Sequence, residues 1–139
     1  MEPRNENWKA RVEAGFFAQK VMRTLDVSIS AMAPGRVVLQ MPFQPDFTQQ
    51  HGFLHAGTVT TVLDSACGFA AFTLMAEDAE VLTVEFKSNF LAPAKGRLFR
   101  FEGEVVKSGR TLTVTRGTAY GDGVAISTMQ ATMMAVTQP

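Results

Sequence analysis

Between Gln49 and Phe72 the sequence QQHGFLHAGTVTTVLDSACGFAAF holds two histidines, His51 and His55, and one carboxylate, Asp64, in a run of apolar and small residues. A carboxylate moved out of water costs several kcal/mol or is driven neutral, so it needs a partner or a task. On a helix its neighbours three and four positions away are Thr60, Thr61, Cys67 and Gly68, none of them a cation. Composition alone leaves two readings open. Asp64 either faces solvent on a polar strip with Thr61 and Ser65, or stands desolvated as a general base or nucleophile. His55, Ala56 and Gly57 open the same run, where a helix start presents backbone N–H groups without acceptors and the positive end of its dipole. An Ala56 or Gly57 N–H there can polarise a carbonyl, an arrangement suited to acyl transfer. His55 and, still more, His51 also fit the plainer role of side chains bonding their own backbone.

These residues need a helix to carry them. Val59, Val62, Leu63, Ala66, Phe69, Ala70 and Leu74 put apolar side chains around much of a helix running from about 55 to 76, as expected of one covered on several sides. Trp8 to Thr24 has rough amphipathic spacing and predicts an N-terminal helix within a segment 1–26 that packs on the main domain, 27–139. Val27–Ala31 and Arg36–Met41 flank Pro34-Gly35 and read as a hairpin. Four long strands follow in meander: 81–91, 97–107, 111–120 and 124–136. Turns at 93–96, 108–110 and 121–123 separate them, the last two short enough for antiparallel hairpins. The expectation is one α+β domain in which an antiparallel sheet of about six strands wraps one long central helix, the hotdog architecture.

Composition narrows the possible partners. At 139 residues the chain fits one domain, and a domain of this size buries roughly two-thirds of its unfolded surface. Apolar residues make up 46% and charged residues 19%, ordinary globular values. Thirteen basic residues balance thirteen acidic ones without clustering, so no nucleic-acid partner is expected. A lone cysteine, Cys67, has no partner for a disulfide or a metal site, which fits a reducing cytoplasm and no bound metal. The N-terminus lacks the apolar core of a secretory signal. The run from Ala56 to Ala76 is long enough to cross a bilayer, but Asp64 at its centre would cost about 3 kcal/mol, so no membrane partner is expected.

The spacing Gln49-x-x-Gly52-x-x-His55-Ala56-Gly57-x6-Asp64, followed by Leu82-Thr83-Val84-Glu85-Phe86 and Leu91-Ala92-Pro93-Ala94-Lys95-Gly96, resembles the hotdog-fold acyl-CoA thioesterases of the phenylacetyl-CoA thioesterase (PaaI-like) type. The resemblance spans about residues 36 to 136. It implies hydrolysis of a small or medium acyl-CoA, aromatic acyl groups included, with coenzyme A as part of the substrate and no separate cofactor. Asp64 matches the family's helix carboxylate, nucleophile or general base toward the thioester. Ala56 matches the second residue of a His-Gly-Gly motif whose N–H polarises the carbonyl, and alanine keeps that N–H. His55 matches the motif histidine that orients the site, and Thr83 a strand hydroxyl that assists the acid or its water.

Gln49 departs from the pattern. The branch with a helix Asp usually has Asn there, whereas Gln accompanies a helix Glu. The Glu branch also tends to place a hydroxyl one turn after its acid, where this chain has Gly68, and Thr83 would then supply the hydroxyl. The resemblance further implies a homodimer with shared active sites, often doubled to a tetramer, and the long strand 81–91 is an edge that a second copy would protect. Lys95, Lys107 and Arg110 are candidates for the phosphates of coenzyme A, and Phe53, Phe69, Phe72, Met75 and Phe90 for an acyl pocket. Two alternatives remain: a hotdog dehydratase for hydroxyacyl thioesters, with His55 and Asp64 as proton shuttles, and a non-catalytic acyl-CoA-binding module.

Overall fold

The computed structural model describes residues 1–137. Its elements are helices α1 (Trp8–Ala18) and α2 (Lys20–Thr24), strands β1 (Ser28–Ala33) and β2 (Arg36–Pro42), helix α3 (Ala56–Phe72), and strands β3 (Ala79–Phe90), β4 (Leu98–Ser108), β5 (Leu112–Gly121) and β6 (Val124–Thr137). All six strands join one antiparallel sheet in the order β1-β2-β4-β5-β6-β3, and α3 packs against every strand from β2 to β6. This is the α+β hotdog arrangement.

Alternation along the strands builds the core. In β4, Phe99, Phe101 and Val105 are buried toward α3, while Arg100 and Glu104 point away into solvent. Gly103 and Gly117 face each other across β4 and β5 at the point where the helix comes closest. A Cβ on Gly103 would collide with the Ala66 carbonyl, and one on Gly117 would lie 2.8 Å from Cys67 Sγ. The two glycines therefore let α3 settle directly on the sheet, and the helix is buried without interruption from Ser65 to Phe72.

The Pro34-Gly35 hairpin forms as expected, with Gly35 at φ +79° and its N–H donating to the buried Thr73 Oγ1 at 2.7 Å. The β5–β6 link is a two-residue turn in which Asp122 (φ +45°) and Gly123 (φ +83°) both take positive φ, matching the twist of a tight hairpin.

Two expectations are corrected. The final four strands do not form one meander: only β4, β5 and β6 do. β3 lies beyond β6 at the sheet edge, and β4 pairs with β2. The Leu91 N–H donates to Ile126 O at 2.8 Å, so the link after β3 starts against β6 and crosses the sheet end before β4 begins. The N-terminal helix is also broken, at Gln19, whose backbone is extended (φ −75°, ψ 108°). Val12 and Phe16 face the core from α1, and Met22 and Leu25 from the segment after it. Phe16 and Met22 stand six positions apart, about 120° round a continuous helix, and the break at Gln19 re-aims the second segment so that both are buried.

Candidate active site

Helix α3 begins at a loop that is closed on itself. Gln49 Oε1 accepts the His51 N–H at 2.6 Å and the Phe53 N–H at 3.3 Å, while the Gln49 N–H donates to Phe53 O at 2.8 Å. Gly52, at φ +85°, lets the chain turn between them. His55 is the N-cap: its Nδ1 accepts the Gly57 N–H at 2.9 Å, and its carbonyl accepts from Thr58 and Val59. An accepting Nδ1 carries no proton, so a neutral imidazole holds its proton on Nε2. Gly57 is thus taken, and Ala56 supplies the one N–H of the first turn that donates to no acceptor among the described residues.

Asp64 lies eight residues further on, roughly 12 Å along the helix axis. It is partly buried, and its Oδ1 accepts the Thr83 hydroxyl of β3 at 2.8 Å. Burial pushes its carboxyl above the usual carboxylate range, and the Thr83 hydroxyl holds it partly down. Among the described residues no ion pair reaches it. One turn on, Cys67 is fully buried and its thiol is pushed up to about 12, mainly by that burial, which makes it a packing residue and not a nucleophile at neutral pH. Among the described residues no group of three or more His, Cys, Asp or Glu side chains could hold a metal, and no helix is long and apolar enough to cross a membrane.

A cleft of about 350 Å³ opens beside Ala56, walled by Phe53, Leu54, Val59, Phe90, Pro93 and Ile126, with Gln49 at its edge. A second cleft of about 790 Å³ continues past Phe53 and Pro93 and carries Lys95 and Arg97 on its rim. A third depression, of about 590 Å³, lies on the opposite face of the sheet among ion-paired Arg36, Glu102, Glu104 and Arg116, with the whole sheet between it and α3.

Phe53 and Phe90 do line a cleft. Phe69, Phe72 and Met75 do not: they pack as core beneath α1, with Phe69 5.9 Å from Phe16 and 6.3 Å from Phe72, and Arg11 5.0 Å over the Phe72 ring. The three candidate cations fall at two ends of the sheet. Lys95 is in the link after β3, whereas Lys107 and Arg110 lie at and beyond the far end of β4. Sequence reasoning passed over Asp122, read only as part of a turn. Its carboxylate accepts the Arg97 N–H at 3.1 Å and the Leu98 N–H at 3.0 Å, and these two bonds hold it below the usual range. A carboxylate between two glycines, opposite a turn rich in small residues, was the available signal.

Of the two edge strands, β1 and β3, the second is long and apolar. β3 pairs with β6 on one side and with no strand of the described residues on the other, and Leu82, Val84, Phe86 and Phe90 are 44–57% exposed along it.

Known proteins share this arrangement. The model of the thioesterase superfamily matches residues 51–125, more than half of the chain. A thioesterase family protein from Silicibacter pomeroyi is 58% identical, with a TM-score of 0.92 over 94% of this chain and 99% of its own. Acyl-coenzyme A thioesterase 13 of Homo sapiens is 28% identical over 90 residues, 64% of each chain. The PaaI protein of the E. coli phenylacetic acid degradation operon, at 14% identity, shares the fold with a TM-score of 0.86 over 94% of both chains.

Proposed function

Since the chain belongs to the thioesterase superfamily and is a thioester hydrolase, we propose that it cleaves a small or medium acyl-CoA, aromatic acyl groups included, at a site shared between two copies. One observation carries this reading. The free Ala56 N–H and the acid Asp64 stand roughly 12 Å apart on one helix, too far to act on one carbonyl, and the strand beside them, β3, is apolar and has no strand of the described residues on its outer edge. A homodimer joined antiparallel through β3 would bring Asp64 and Thr83 of one copy toward Gln49, His55 and Ala56 of the other.

In that site the thioester carbonyl oxygen sits at the Ala56 N–H, at the positive end of α3. Gly57 supports the start of the helix by donating to His55. Ionised Asp64 takes a proton from water as the water oxygen bonds to the carbonyl carbon, or its own oxygen attacks and water later opens the acyl-aspartate anhydride. Collapse of the tetrahedral intermediate breaks the C–S bond, and the electron pair leaves on sulfur, which takes up a proton to give coenzyme A. The Thr83 hydroxyl orients the carboxylate throughout. Antiparallel pairing would also bring the Lys107 and Arg110 end of one copy to the Lys95 end of the other, giving cations from both copies to the phosphates.

Asp64→Asn tests the reading. Turnover of acyl-CoA should fall by about 10²- to 10⁴-fold while binding of the ester persists. Undiminished turnover by this variant would refute the assignment of Asp64.

A further inference from the structure

We infer that Phe53 sets the length of the acyl group the enzyme accepts, by closing the cleft beside Ala56 where it adjoins the second cleft. The inference rests on the acyl-CoA reading above and adds a specificity-determining residue to it.

The first cleft is almost wholly apolar, with Gln49 its one polar side chain, so it suits a hydrocarbon chain or ring more than the amide-bearing arm of coenzyme A. The second cleft begins where the first ends, and the residues common to both, Phe53, Ala92, Pro93 and Ile126, form the partition. Most of that partition is pinned. Ile126 is buried in the core, and its carbonyl accepts the Leu91 N–H at 2.8 Å. Ala94 O accepts the Leu54 N–H at 3.1 Å. Asp122 grips the far end of the same link through the Arg97 and Leu98 N–H groups.

Phe53 differs from its neighbours. Its backbone is fixed to Gln49, but its ring is only partly buried and is the largest side chain of the partition. Truncating the ring joins the two clefts and leaves the Ala56 N–H, the His55 cap and Asp64 untouched. An acyl chain that stops short of Phe53 gains burial with each methylene, about fourfold in kcat/KM per methylene. A chain that reaches the ring gains nothing more.

The test is kcat/KM across a series of unbranched acyl-CoAs of increasing length for the wild type, Phe53→Leu and Phe53→Ala, with Tm measured for each. The wild type should climb about fourfold per methylene and then break. The break should move to longer chains in Phe53→Leu and further in Phe53→Ala, with short-chain substrates kept within a few-fold. A break at the same length in all three proteins would overturn the inference. So would a loss of equal factor at every chain length in the variants, because the cleft would then hold the coenzyme A arm. Failure of the wild type to hydrolyse any acyl-CoA would instead refute the substrate reading on which the inference rests.

Discussion

The two halves of α3 are built for opposite ends. From Ala56 to Asp64 the helix carries hydroxyls and its acid on partly exposed positions, with Thr60 Oγ1 donating to Ala56 O and Thr61 Oγ1 to Gly57 O, both at 2.8 Å. From Ser65 to Phe72 every residue is buried. The second half is held on all sides by the sheet and α1, and it anchors the first half, which can then carry an N–H without an acceptor and a carboxylate without a cation. Marginal stability gathers where the chemistry is, and packing elsewhere offsets it.

Substitutions in the two halves should therefore separate activity from stability. After Asp64→Asn, the largest effect on turnover is expected from Ala56→Pro. Proline is tolerated at the first helical position and needs an extended residue before it, which His55 provides at φ −60°, ψ 140°, so only the N–H is lost. Hydrolysis should fall by about 10²- to 10³-fold with little change in Tm, measured by steady-state kinetics and thermal unfolding.

Gly103→Ala, which presses a methyl group against the Ala66 carbonyl in the anchoring half, should do the reverse. It should cost about 1–3 kcal/mol in denaturant unfolding and leave the kcat of the folded fraction near wild type.

Asp64→Asn crosses the divide, because it removes both the reactive acid and a charge that folding disfavours. The folded carboxyl titrates above its unfolded value, so the wild type is most stable where Asp64 is protonated and loses that stability as pH rises through the folded pKa. The variant should show a higher Tm than wild type at neutral pH and none of that gain in acid.

The subtlest effect is expected from Thr83→Val. Without the hydroxyl that holds the Asp64 carboxyl down, the acid limb of the kcat–pH profile should move to higher pH, while Thr83→Ser should leave it in place.

Much of this was legible in the sequence because it depends on local order. The helix around Asp64 follows from apolar residues on most of its turns, and the two late hairpins from Ser108-Gly109-Arg110 and Gly121-Asp122-Gly123. The edge position of β3 was not legible: Val81 to Leu91 reads as a strand in any place, and its pairing with β6 joins residues 37 (Phe90 with Ser127) to 58 (Ala79 with Thr137) positions apart. Nor could spacing tell Phe53 and Phe90 from Phe69 and Phe72, since that depends on which side of α3 meets α1. The Thr83–Asp64 contact came from family resemblance, because a hydrogen bond between residues 19 apart leaves no periodic trace. That Gly57 gives its N–H to His55, leaving Ala56 alone, needed the geometry of the cap.

The central claim is that Asp64 of one copy works with Ala56 of another, and mixing inactive proteins tests it most directly. Asp64→Asn and Ala56→Pro chains, co-expressed in equal amounts, form mixed dimers in which one of the two sites draws an intact Asp64 from one copy and an intact Ala56 from the other. Random pairing should then recover about a quarter of wild-type turnover. A mixture no more active than the two variants measured apart would contradict it.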